Sequence, residues 1–153
     1  MIVLLALLIG IIAGLRAMTA PAAVSWAAAL GWLDLSGTWL NVFASPWAVG
    51  IFTVLAVGEL ITDQLPSTPS RKVPVQFGAR ILSGAVCGAA IGVAAGSMGL
   101  GALAGTVGAV LGTLGGHAVR ARLAGRFGKD LPAALIEDAV AVLGALAIMG
   151  TLP

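Results

Sequence analysis

The sequence predicts an all-α membrane protein, a compact bundle of five to six transmembrane segments in one domain, residues 1–153. Three observations carry that expectation. Of 153 residues, 59% are hydrophobic and 9% charged, with a mean hydropathy of +1.09. A water-soluble domain has about 25% charged residues, so this composition does not furnish a solvated surface. Apolar runs near the length of a membrane span, roughly 18 residues, occur at residues 47–61 (extended by a polar end), 81–96, 100–119 and 131–150. The cations Arg71, Lys72, Arg120, Arg122, Arg126 and Lys129 fall in two short stretches, the pattern of cytoplasmic loops under the positive-inside rule.

The opening "MIVLLALLIGIIAGLRAMTA" lacks the basic stretch that precedes the apolar run of a signal peptide, since Arg16 follows that run. It reads as a retained membrane segment. Arg16 and Pro21 interrupt the first apolar region, residues 2–33, at "GLRAMTAP". Two readings stay open, one long broken helix or a hairpin of two short segments. Broken backbone persists at membrane depth when it is buried in protein or lines a wet cavity. Residues 34–46 read as an interfacial loop, with Trp32, Trp39 and Trp47 as aromatic anchors.

A helix over 47–64 leads to a proline-rich loop, 65–74. Helices over 76–96 and 99–122 are joined by a tight turn at Ser97. The last, 131–150, has Pro132 at its second position, where a missing N–H costs little. Alternating sides put loops 65–74 and 120–130 together, which predicts both in the cytoplasm and an external C-terminus, in the cell's inner (plasma) membrane. With a hairpin at the start, the chain divides three plus three around residue 75, as inverted-repeat transporters do. The halves match faintly: "IGIIAGLRA" and "LGTLGGHAV" share little beyond two glycines.

Gly84, Gly88, Gly92 and Gly96 recur every fourth residue, as do Gly101 and Gly105, then Gly108, Gly112 and Gly116, with Gly10 and Gly14 in the first segment. Such spacing puts small residues on one helix face and lets membrane helices approach closely, a glycine zipper. On the last helix, Leu135, Val142, Leu146 and Met149 form a bulky face for lipid. Ala134, Glu137, Asp138, Ala141 and Gly144 form a small face that turns both acids inward. An ionisable side chain inside a membrane is expensive unless compensated, and marks a functional site by default.

Glu59 and Asp63, four residues apart, share a helix face. With Glu137, Asp138 and His117 they are the candidate ion- or solute-binding residues, and Arg16, Arg80 and Arg120 the candidate charge partners, all converging in the cytoplasmic half. Each has a plainer reading. Arg80 and Arg120 suit snorkelling to headgroups, His117 suits packing or hydrogen bonding, and the acids suit buried salt bridges. Ser67, Thr68, Ser70, Arg71 and Lys72 offer hydroxyls and cations suited to a lipid headgroup or a phosphate. No metal ligand set stands out, which leaves a divalent cation as the one conceivable cofactor. Net charge +2 reflects the two basic stretches and not a nucleic-acid surface, and the single Cys87 excludes an internal disulfide.

"GLRAMTAPAAVSWAA", "GELITDQLPSTPSR" and "LPAALIEDAVAVLGAL" together resemble a family of small bacterial integral-membrane proteins of unknown function. The resemblance spans nearly the whole chain. It marks Arg16, Glu59, Asp63, Pro66, Arg71, Glu137 and Asp138 as signature positions and implies no activity. Three functions compete. A small transporter or channel for an ion or solute comes first, with homodimerisation a natural way to build a pathway at this size. A structural or assembly subunit follows. An intramembrane enzyme or binder of lipid phosphate comes last, because no activated nucleophile is evident.

Overall fold

Where glycine replaces side chains on two facing helices, the backbones themselves come into contact. This contact organises the bundle. The computed structural model describes residues 1–65 and 73–152. Its elements are α1 (Ile2–Leu15), α2 (Thr19–Ala29), a 3-10 helix (Trp39–Ala44), α3 (Pro46–Thr62), α4 (Pro74–Val93), α5 (Met98–Phe127) and α6 (Asp130–Gly150). No strand occurs among the described residues. Helices α4, α5 and α6 are long and apolar enough to cross a membrane, while α1 and α3 are apolar but shorter.

Helix α5 is sandwiched between α1 and α4. A β-carbon on Gly105 would fall on the Gly84 carbonyl, and one on Gly10 would fall on the backbone of Gly105. The pairs Gly84–Gly105, Gly88–Gly101 and Gly92–Ser97 run α4 antiparallel to α5. Leu7 with Gly108 and Ile11 with Gly112 run α1 parallel to it. Gly96 departs from the expected seam. Its φ of 61° closes the turn between α4 and α5, a left-handed conformation that suits glycine.

Local signals set the helix ends. The Ser45 hydroxyl accepts the Ala48 N–H at 3.2 Å and Pro46 opens α3, an N-cap followed by an N1 proline. Gly128, at φ 68°, terminates α5. That terminus corrects the loop expected at 120–130. Arg120, Arg122 and Arg126 ride on the last turns of α5, because "RARLA" is built from strong helix formers. The segment expected as loop 34–46 contains the 3-10 helix, whose Phe43 stacks on Phe52 of α3 with centroids 5.3 Å apart.

The chain reverses at Arg16. Arg16 reaches Asp63 at the end of α3, and the backbone N–H groups opening α2 reach Glu59. Farther along α2, the Trp26 indole donates to Thr53 Oγ1 at 3.0 Å, so α2 runs back antiparallel to α3. On α6 the inward face carries Ala134, Glu137, Asp138 and Ala141 as expected, but Met149 is buried with them. Exposed there are Leu135, Ile136, Val140, Leu143 and Leu146.

Candidate functional site

A helix leaves its last carbonyls and first N–H groups without intrahelical partners, and the break between α1 and α2 exposes both kinds in the protein interior. Arg16 itself is extended there, at φ −139° and ψ 111°. Side chains from other helices satisfy the ends. The Gly14 carbonyl accepts from Arg80 Nη1 at 3.0 Å and from Thr113 Oγ1 at 3.2 Å. The Leu15 carbonyl accepts from Arg80 Nη1 at 2.7 Å and Arg16 Nη1 at 3.3 Å. Ser83 donates to the Ala17 carbonyl at 2.6 Å. On the other side of the break, the Glu59 carboxylate accepts the Ala17 and Met18 N–H groups at 2.7 and 2.8 Å. Cations thus meet the C-terminus of α1 and an anion meets the N-terminus of α2, each the sign favoured by the helix dipole.

The Arg16 side chain is fully buried. Its Nε donates to Asp138 Oδ1 at 2.6 Å, its Nη2 lies 2.6 Å from the same oxygen and 3.6 Å from Glu137 Oε2, and its Nη1 pairs closely with Asp63. Arg80, 2% exposed, lies 3.6 Å from Glu59 and 3.7 Å from Asp63. Arg120 grips Asp130 through two hydrogen bonds of 2.6 and 3.0 Å, reaches Glu137 at 3.4 Å, and donates to the Asp63 carbonyl at 3.0 Å. The three guanidiniums therefore link the break, α3, α4, α5 and α6 into one cluster.

Seven of the eight expected residues, Glu59, Asp63, Glu137, Asp138, Arg16, Arg80 and Arg120, are brought together. His117 is half-buried one turn before Arg120 on α5. Ser67, Thr68, Ser70, Arg71 and Lys72 lie outside the described residues. Sequence reasoning passed over Gln64, whose side-chain amide donates to Asp138 Oδ2 at 3.1 Å, and also Ser83, Thr113 and Asp130. Two of these carried a readable signal: Ser83 and Thr113 are isolated hydroxyls on the glycine-bearing faces of α4 and α5. Among the described residues, no group of three or more His, Cys, Asp or Glu side chains is arranged to hold a metal ion. The acids spend their lone pairs on guanidiniums and backbone N–H groups instead.

Fold and site define a helical bundle with three helices long and apolar enough to cross a membrane and a buried arginine–carboxylate cluster at a helix break. The chain belongs to the DUF4126 family, described as a domain of unknown function, which matches residues 3–151. No curated protein and no solved structure matches the chain.

Proposed function

We propose that the protein is a small membrane transporter or channel for a proton or another small monovalent cation, with the Arg16 cluster as its binding site. One observation carries this reading: a buried arginine at a helix break faces more carboxylates than guanidiniums. Glu59, Asp63, Glu137 and Asp138 have side chains only 7–13% exposed, and among the described residues Arg16 meets three of them. Acids gathered in an apolar interior repel one another, and a bound proton or monovalent cation relieves that cost. Discontinuous helices whose ends meet at the site are a recurrent transporter device.

The reading includes five to six membrane segments in a bacterial inner membrane, with the basic stretches cytoplasmic. Helix directions in α1–α3 and α4–α6 alternate as an inverted repeat requires. Packing does not follow that symmetry, because α5 lies broadly on both α1 and α4 while its counterpart α2 touches them little. Only Ala48 and Ala56 of α3 are buried, and a second copy of the chain is the expected cover for its outer face. A structural role is the second reading, favoured by the fact that each of the four acids already meets an arginine.

The test is flux into liposomes carrying a trapped pH or cation indicator. Glu137→Gln removes one ionisable group at nearly constant shape and is expected to abolish flux while the protein still folds. Glu59→Gln is less clean, because its new amide would turn a donor toward a backbone donor. Flux that survives Glu137→Gln, or wild-type protein that passes neither protons nor alkali cations, overturns the transport reading.

A further inference from the structure

Between α1, α5 and α6 runs a groove of about 290 Å³ that begins beside Leu15 and opens outward from the bundle. Its floor includes Gly112, Gly115 and Gly116, and its walls are apolar, among them Leu111, Ile136 and Val140. A β-carbon on Gly115 would meet nothing within 4 Å, so the groove is open there, whereas Gly112 at its inner edge packs on Ile11. Along α5 it spans residues 111 to 123, about 18 Å at 1.5 Å per residue. That length is close to the hydrocarbon depth of one leaflet, about half of the roughly 30 Å core.

At its polar end the groove continues into a second, open depression that shares Val119 and Leu123 and adds Arg122 and Arg126. Both arginines are exposed, and no carboxylate among the described residues pairs with them. Arg120 and Glu137 also border the groove but are already engaged with each other. The charge left to meet a ligand is positive, and it stands at the mouth of an apolar channel one leaflet deep. We infer that this groove is a binding site for an anionic phospholipid, with one acyl chain over Gly112, Gly115 and Gly116 and the phosphate between Arg122 and Arg126. The inference is independent of cation transport, since none of its ligand-binding residues belongs to the Arg16 cluster.

The experiment titrates full-length protein in a neutral detergent with phosphatidylglycerol, phosphatidylcholine or inorganic phosphate, reading retained lipid by native mass spectrometry and stability by melting. Phosphatidylglycerol is expected to be retained and to raise the melting temperature, while phosphatidylcholine and inorganic phosphate do neither. The double variant Arg122→Gln, Arg126→Gln should weaken retention about thirtyfold, at roughly 1 kcal/mol per cation near an anionic surface. Gly115→Leu, which fills the groove while leaving both arginines, should weaken it comparably, with its melting temperature in the absence of lipid unchanged. Two results overturn the proposal. Inorganic phosphate stabilising as well as the lipid would reduce the site to a simple anion contact. Retention lost in the arginine variant but kept in Gly115→Leu would reduce it to general attraction to anionic lipid.

Discussion

The α1–α5–α4 sandwich and the α3 arm are held to the protein by opposite means. In the sandwich, backbone meets backbone, and the contacts around Gly105 leave no space even for a methyl group. The arm is nearly the reverse. Helix α3 buries two alanines of its 17 residues, and its end is tied to the rest through Glu59 and Asp63. One region depends on the absence of side chains along its seam. The other tolerates volume along most of its length and depends on a few charges at one end.

Arg16→Gln strikes the charged region hardest. It leaves Asp63 and Asp138 facing each other without their common guanidinium, and removing one partner of a buried ion pair costs about 3–5 kcal/mol. Asp138→Asn added to Arg16→Gln should recover part of that loss in a double-mutant cycle. Melting of the four proteins in detergent measures it, and additive losses would mean that the pair is not coupled.

Gly105→Leu breaks the other region. Overpacking a closed contact costs about 1–3 kcal/mol and occasionally more, and Gly105 is closed on two sides, so a loss of about 3 kcal/mol is expected. Gly50→Leu on α3 is the matched control, since its β-carbon would meet nothing within 4 Å; it should melt with the wild type. Equal melting temperatures for Gly105→Leu and Gly50→Leu would erase the distinction between sandwich and arm.

Trp26→Phe is the smallest change. It removes the indole hydrogen bond to Thr53, worth about 0.5–1.5 kcal/mol and toward the low end because both partners are partly exposed. Were it to cost more than Arg16→Gln, the arm would hang on α2 and not on its charged end.

Much of this contrast was legible in the residues. Arg16 inside an apolar run marks a break because an arginine there needs partners. Glycine at every fourth position marks a close face, and Glu137 with Asp138 on the small side of α6 marks an inward one. Other features were less legible because they depend on tertiary geometry. Gly96 has the periodicity of the seam but sits at a turn. Met149 looks lipid-facing by size yet is buried with the inward face of α6. The cations after Val119 resemble a loop by charge and remain helical by propensity. Whether the first region reverses depended on where Trp26 and Glu59 find their partners, which no local pattern encodes. Gln64 was hidden for the same reason, since its partner Asp138 lies 74 residues away.

The bond from Arg16 to Asp138 spans 122 residues, nearly the whole chain, and this separation imposes an order on biogenesis. A ribosome adding about 5–20 residues per second emits the arginine some 6–24 s before its carboxylate partner. In the earlier part of that interval, before α4 and α5 are made, the Gly14, Leu15 and Ala17 carbonyls also lack the Arg80, Ser83 and Thr113 side chains that later satisfy them. The break is therefore fully partnered only once α6 has been made.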